Sequence, residues 1–254
     1  EMPLYSLDAV VIKSRNLGEA DKLITLYSRE RGKVRAVARG ARRPRNRLAA
    51  STEIFTHGNY LLFANQGLDN ISQCEITESF RGLRESLEGA AAATYCLEIV
   101  ERMTEEEEPG GDLFPFLLAM LRVLAADEED LELAVRVFEL GLLARLGYLP
   151  EFSQCVNCGC EVKQGASFSA ALGGVLCGDC RTQDRDAPPV APDTLAAVRF
   201  LVGAPLNRLR NLRLTGSNKA ELRQITQSYL RAQLGRDPNS AFFLALVQDG
   251  TGPK

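Results

Sequence analysis

Residues 31–47 read RGKVRAVARGARRPRNR: eight basic side chains in seventeen residues, and no acid. A period of two organises the first half. Lys33, Arg35 and Arg39 fall on one face with Val37 between them, and Val34, Ala36 and Ala38 fall on the other. Small apolar residues on one side and cations on the other describe a strand in the wall of a small barrel, apolar face inward. The following ARRPRNR has no alternation and reads as a loop stiffened by Pro44.

Working outward, four more runs rich in Val, Ile, Thr, Tyr and Phe surround this strand. They are LYSLDAVVIKS (4–14), KLITLYS (22–28), TEIFTHGNYLLFA (52–64) and NISQCEITES (70–79). Turn signals at Leu17-Gly18, Arg31-Gly32 and Asn65–Asp69 separate them. Five short strands within residues 1–80 suit a closed barrel, which leaves none of the exposed edges of an open sheet. The lone histidine, His57, reads as a strand or turn residue.

From Arg81 the apolar period becomes helical, with Leu83, Leu87, Ala90, Ala93, Leu97 and Val100 in phase. The helix is expected to fray in the solvated run Glu105–Glu108 before Pro109-Gly110-Gly111. A second helix capped by Asp112 runs through FLLAMLRVLAA, and a third spans about Asp130–Leu146 with Gly147 as its cap. Ala187-Pro188-Pro189 reads as a linker, followed by the helix DTLAAVRFLVG and the short basic PLNRLRNLRL. A capping box at Asn218–Glu221 would open a helix to Leu234, and FFLALV (242–247) is expected to pack on the helical core. The fold class is therefore multidomain α+β: a barrel at 1–80, a helical domain from 81–150 and 187–254, and a cysteine-rich insertion at 151–186.

Five of the seven cysteines lie in that insertion. CVNC (155–158) and CGDC (177–180) form two C-x2-C pairs, with a small hairpin turning at Gly173-Gly174 between them. A two-residue gap lets both thiolates of a knuckle face one ion, and two knuckles complete a tetrahedron. Cys155, Cys158, Cys177 and Cys180 are thus candidate ligands for one structural Zn²⁺, since four thiolates leave no open position for water. An iron site or iron–sulfur cluster shares this spacing, whereas a redox C-x-x-C would open a helix in a thioredoxin-like unit, and none is visible. Cys160 is an extra thiol outside the set, and Cys74 and Cys96 read as core residues.

Formal net charge is −3, but it is unevenly placed. Residues 1–80 carry 12 basic and 9 acidic side chains, residues 81–150 carry 6 and 15, and residues 151–254 carry 12 and 9. A basic head and tail flank an acidic middle, so the overall acidity does not argue against a polyanionic partner. A solvated face is the ordinary meaning of a charge run, but it leaves the missing acids of 31–47 unexplained, and phosphate neutralisation explains them. Tyr5, Tyr27, Phe55, Tyr60 and Phe63 lie on neighbouring strands, where bases could stack on any not taken up by the core. No P-loop, G-x-G-x-x-G, G-x-S-x-G or H-E-x-x-H is present, which favours a binding protein over an enzyme. No apolar run approaches the ~20 residues of a membrane span, and no export signal opens the chain, so a cytoplasmic location is expected.

These parts together resemble the RecO family of bacterial DNA repair and recombination mediators, and its Deinococcus-type members in particular. The segment YSLDAVVIKSRNLGEADKLITLYSRERGKVRAVARGARRPRNR carries most of the likeness, with GLLARLGYLPEFSQCVNCG and CGDC. The resemblance implies an OB-fold barrel that binds single- and double-stranded DNA and anneals complementary strands. It also implies action in the RecF/RecFOR pathway, where RecR assists in loading RecA on DNA coated by single-strand-binding protein. Carried over by position, the DNA contacts would be Lys33, Arg35, Arg39, Arg42, Arg43, Arg45 and Arg47. The family further suggests docking of the acidic C-terminal tail of single-strand-binding protein near Arg208, Arg210, Arg213, Arg223 and Arg231. A different reading keeps the zinc but makes the chain a protein-interaction scaffold whose basic segment docks acidic partners. No membrane and no small-molecule substrate is implied.

Overall fold

The computed structural model describes residues 3–126, 130–203 and 212–248. The chain divides into two compact units, Glu1–Asp127 with Phe242–Lys254, and Glu128–Ala241. The helical segments expected to share one domain are thus distributed between the two.

In the first unit, β1 (Leu4–Leu17), β2 (Asp21–Ser28), β3 (Gly32–Ala38), β4 (His57–Phe63) and β5 (Asp69–Glu78) close a barrel in the order β1-β2-β3-β5-β4. This is an OB-fold. Its interior is filled by the inward residues of each strand, among them Val11, Ile24, Leu26, Val34, Ala36, Ala38 and Leu62. A short α1 (Leu48–Ser51) adds Leu48 to that core. Tyr60 is fully buried, and its hydroxyl donates to Ser51 O at 2.7 Å, which offsets the desolvation of the phenol.

The seam that closes the barrel is narrow. β3 and β5 run parallel and register only at Ala36–Asp69 and Val37–Asn70. The first half of β3 therefore has an edge that β5 does not cover. A later segment covers it. The expected helix from Arg81 is two helices, α2 (Arg81–Glu85) and α3 (Leu87–Met103), broken where Ser86 turns extended and its hydroxyl accepts from Gly89 N. Beyond α3 the chain runs alongside β3. Lys33 and Glu106 form a parallel bridge, Glu107 N donates to Lys33 O at 3.1 Å, and Gly110 N donates to Arg29 O at 3.2 Å. The glutamates of 105–108 are exposed, as a solvated run should be, but they are not a fraying helix end: Glu106 bridges to the sheet edge, Glu107 turns at φ +61°, and the run forms a strap there. Gly32 permits the approach, because it sits at φ +58° and a Cβ there would lie 1.7 Å from Glu108 O. Helix α4 (Leu113–Ala125) follows the strap.

In the second unit, α5 (Leu131–Arg145) starts where the Asp130 carboxylate accepts from Leu133 N at 3.1 Å, and Gly147 follows its end at φ +77°. The cysteine segment contains the expected hairpin, β6 (Ala166–Ser169) and β7 (Gly174–Leu176). The proline-rich stretch expected as a linker instead supplies a third strand, β8 (Pro189–Val190), paired with β6. The segment also holds more core than its composition suggests: Phe152, Val162, Phe168, Val175 and Leu176 are buried. Two helices follow, α6 (Pro192–Gly203) and α7 (Gly216–Leu234). The cap of α7 is Thr215, whose hydroxyl accepts from Asn218 N, so the helix begins earlier than the box at Asn218–Glu221 implied. Phe152 stacks on Phe168 at 5.8 Å and Phe168 meets Tyr229 of α7 edge-on at 6.2 Å. The Arg199 guanidinium on α6 donates to Phe152 O and Val162 O, tying the cysteine segment to the helices.

The last helix, α8 (Asn239–Gln248), departs from expectation. Only Leu244 and Val247 of its apolar run are buried, and Phe242 is 73% exposed. A helix turns consecutive residues about 100° apart, so six adjacent apolar positions cannot all face one core.

Candidate nucleic-acid interface and thiolate cluster

The barrel wall sorts the residues of β3 as its alternation requires. Val34, Ala36 and Ala38 are buried, while Arg35 and Arg39 are exposed and Lys33 is half-buried. The loop 40–47 continues this surface, with Arg42, Arg43, Arg45 and Arg47 all exposed. Two features shape the loop. Asp21 accepts from Gly40 N at 2.7 Å, and Arg42 donates to Gly18 O at 2.8 Å, so its start is tied to the β1–β2 turn. Arg45 sits at φ +59°, a left-handed turn position in the tip.

The seven candidate cations are not equivalent. The Lys33 ammonium donates to Glu101 O at 2.7 Å and Thr104 O at 2.6 Å, the free carbonyls at the end of α3. A cation there satisfies carbonyls that have no intrahelical donor and complements the helix dipole. Arg35 faces Glu106 of the strap at 3.7 Å, and its neighbour Arg31 pairs with Glu107 at 2.5 Å. Both pairs are substantially exposed, so each is a weak, salt-sensitive contact. Arg39 Nε donates to Asn70 Oδ1 at 3.1 Å. Among the described residues, no acid pairs with Arg39, Arg42, Arg43, Arg45 or Arg47. The potential is therefore least neutralised toward the loop, away from the strap.

The strap was the functional element that sequence reasoning missed as a neighbour of the basic strand. Its signal was present in the complementary runs, four consecutive acids against a strand of three cations, but nothing in one-dimensional order says that they meet. The aromatic candidates are mostly core: Tyr27, Phe55 and Tyr60 are buried. Tyr5 is half-buried, with the Arg31 guanidinium 4.7 Å above its ring and its hydroxyl bonded to Asp69. Burial, reinforced by that bond, pushes the Tyr5 phenol well above its ordinary value. His57 is structural, with Nε2 2.7 Å from Asp8 Oδ1 and its ring edge-on to Phe114 at 5.9 Å.

In the second unit, the sulfurs of Cys155, Cys158, Cys177 and Cys180 all lie within 4.8 Å of one another. Both knuckles turn tightly, with Gly159 N donating to Cys155 O at 2.8 Å and Cys180 N to Cys177 O at 3.0 Å. A tetrathiolate ion with bonds of ~2.3 Å has sulfur–sulfur edges of about 3.8 Å. Cys158 and Cys177 are 3.8 Å apart, so the donor set fits a single tetrahedral ion. Burial acts to raise the Cys155 thiol, but backbone hydrogen bonds from Cys177, Cys158 and Asn157 outweigh it and lower it to about 6. Backbone hydrogen bonding from Cys180 also lowers Cys177. Cys160 lies outside the tetrad, and hydrogen bonds to Cys158 and Cys177 push its thiol up to about 12. Cys180, within the tetrad, is likewise pushed up to about 12: the Asn157 hydrogen bond lowers it, but the Cys177 contact and burial outweigh that, so it is the geometry of the four sulfurs that sets Cys160 apart.

The candidate partner arginines are scattered. Arg208 and Arg210 lie outside the described residues. Arg213 is exposed, Arg223 pairs with Glu132 at 2.5 Å, and Arg231 pairs with Asp237 at 2.7 Å.

The chain matches known proteins along most of its length. The model for the N-terminal domain of recombination protein O matches residues 2–80, and the model for its C-terminal domain matches residues 84–241. DNA repair protein RecO of Symbiobacterium thermophilum is 41% identical over 246 residues, covering 96% of this chain and 97% of that protein. The RecO of Pelotomaculum thermopropionicum is 40% identical over 243 residues (96% and 94%), and that of Bacillus subtilis 34% over 242 residues (95% and 94%). With an OB-fold barrel in the residues matched by the N-terminal model, and helices and a four-cysteine cluster within those matched by the C-terminal model, this chain belongs to the RecO family of DNA repair proteins.

Proposed function

We propose that the chain is a non-enzymatic recombination mediator of the RecF/RecFOR pathway. It binds single- and double-stranded DNA, anneals complementary strands, and with RecR helps to load RecA onto DNA coated by single-strand-binding protein. The observation that carries this reading is the continuous exposed surface of Arg35, Arg39, Arg42, Arg43, Arg45 and Arg47, largely without acidic partners, on a strand and loop of an OB-fold. Guanidinium groups at this density neutralise successive phosphates, and such contacts are indifferent to sequence, as annealing demands. Lys33 belongs to the same surface as a positioning residue, since its ammonium serves α3. The tetrad holds one structural Zn²⁺ in a cytoplasmic protein, and the metal contributes folding free energy to the small β6–β7–β8 module. The acidic tail of single-strand-binding protein docks near the later helices, where Arg213 and Arg231 are the exposed cations among the described candidates.

One observation favours a second reading. The basic strand already accepts carboxylates from Glu106 and Glu107, so its chemistry also suits an acidic protein partner, and the chain would then be a zinc-stabilised scaffold. Strand annealing separates the two. Under the mediator reading, Arg35→Glu with Arg39→Glu abolishes DNA binding and annealing while the circular dichroism spectrum is unchanged. Wild-type protein that binds acidic partners but neither binds nor anneals DNA establishes the scaffold instead. DNA turnover requiring an added divalent ion would show an enzyme and overturn both.

A further inference from the structure

The thiolate tetrad is unevenly covered. Cys155 and Cys180 are buried, Cys177 is half-buried and Cys158 is exposed, so the cluster has an inner edge and an outer one. A fifth sulfur lies at the outer edge. The Cys160 thiol is exposed and in hydrogen-bonding contact with both Cys158 and Cys177.

Backbone geometry holds it there. Residues 153–162 fold back on themselves, with Gly159 in the turn at φ +75°. Gln154 and Glu161 form an antiparallel bridge. On either side of it, Val162 N donates to Ser153 O at 2.9 Å and Cys155 N donates to Cys160 O at 2.8 Å. Cys155 and Cys160 are therefore directly opposite one another in a short two-stranded ladder. Side chains of such a pair share a face, with Cβ atoms about 4.5–5.5 Å apart, close enough for both sulfurs to reach one ion. Cys158 lies in the turn between them, so the first knuckle offers two sulfurs for the outer position and one for the inner. The second knuckle offers no such choice, and the remaining cysteines, Cys74 and Cys96, belong to the other unit.

We propose that Cys160 is a reserve zinc ligand: the site uses four of five thiolates, and Cys160 replaces Cys158 whenever that exposed sulfur is removed from the metal. This rests on the zinc reading above and extends it from a fixed tetrad to a site with two settings. The exchange balances in protons. Only a thiolate is a ligand, so Cys160 gives its proton to solvent as its sulfur binds. The ion keeps four sulfurs, and the β6–β7–β8 module keeps its staple. An exposed thiolate is the ligand that reactive solutes meet first, and the redundancy lies at that position.

The test uses the full chain, loaded with zinc and dialysed against metal-free buffer. Elemental analysis gives zinc per chain, and competition with a chromogenic chelator gives affinity. Losing one thiolate of four without replacement costs roughly 100- to 1000-fold in affinity, about a quarter of the binding free energy of such a site. Cys158→Ser is expected to keep one zinc and to weaken by less than about 10-fold, with the cobalt-substituted form showing the charge-transfer intensity of four thiolates. Cys160→Ser should bind as wild type does. Cys158→Ser with Cys160→Ser should show the full loss and the intensity of three thiolates. Cys158→Ala, which has no hydroxyl to compete for metal, should repeat the result of Cys158→Ser. A Cys158→Ser variant that weakens as much as the double variant, or shows three-thiolate intensity, overturns the reserve role and leaves the tetrad standing. Loss of fold in both Cys158→Ser and Cys158→Ala, while Cys160→Ser folds, overturns it equally, because no sulfur has then restored the staple. Wild-type protein that holds no zinc overturns the zinc reading itself, and the reserve ligand with it.

Discussion

Replacing Lys33 with methionine separates two roles that sequence alone assigns to the same residue. The variant keeps most of the apolar stem and removes the ammonium, leaving Glu101 O and Thr104 O without their donor. A hydrogen bond to a charged group contributes about 1.5–3 kcal/mol, and a cation at a helix C-terminus a further ~0.3–1 kcal/mol. The half-buried site and the solvent left free to hydrate the carbonyls reduce the loss, so a destabilisation of about 2–3 kcal/mol is expected. For a chain of this size that lowers the melting temperature by about 4–10 °C. Scanning calorimetry measures the first effect. The second measurement is the slope of log affinity against log salt, to which each neutralised phosphate of a single strand contributes about 0.7. Lys33→Met should leave that slope unchanged, whereas Arg39→Met should lower it by about 0.7 and leave the melting temperature within a degree or two. A Lys33→Met variant with wild-type stability and a reduced slope would show that the ammonium binds phosphate and that its helix contacts contribute little.

Glu106→Gln with Glu107→Gln removes the two acids that face Arg35 and Arg31. Exposed pairs are worth ~0.2–1 kcal/mol each, so DNA affinity should rise about 2- to 10-fold in 50 mM salt, with the gain vanishing near 0.5 M as screening shortens the reach of the lost charges. An unchanged or weaker low-salt affinity would mean that the strap does not compete for the basic surface. Elemental analysis should find one zinc per chain; Cys155→Ser should lose it and partly unfold the second unit, and Cys160→Ser should retain it. Iron, or an absorption band of an iron–sulfur cluster, would refute the zinc assignment.

Much of this was legible in one dimension because it depends on local chemistry. Alternation across Lys33–Ala38 placed the cations outside and the small residues inside, since a strand admits no other arrangement with one face buried. The two C-x2-C pairs announced their cluster for a similar reason: the knuckle is a short-range structure, and only the approach of the two had to be inferred. What could not be read depends on distance along the chain. Lys33 and Glu101 are 68 residues apart, and no local pattern says that the lysine ends its reach on a helix rather than on DNA. Pro189–Val190 has the composition of a linker and becomes a strand because β6 offers it a free edge. The run at 242–247 differs in the opposite direction: its apolar content implies burial, but a helix turns only part of it inward, at Leu244 and Val247.

The strap also bears on how this protein can be taken apart. Matching at residues 2–80 invites the view that the barrel is a self-sufficient piece. Cut there, it would lose Glu106 and Glu107 from its edge and the α3 carbonyls from Lys33. The backbone of 29–33 would then offer unpaired hydrogen-bonding groups beside a glycine that accommodates close contact, a template for another chain. A barrel fragment would self-associate through that edge, and its behaviour toward DNA would report on the oligomer. The smallest faithful unit reaches past Gly110, because the barrel's last strand-like partner is encoded after its first long helix.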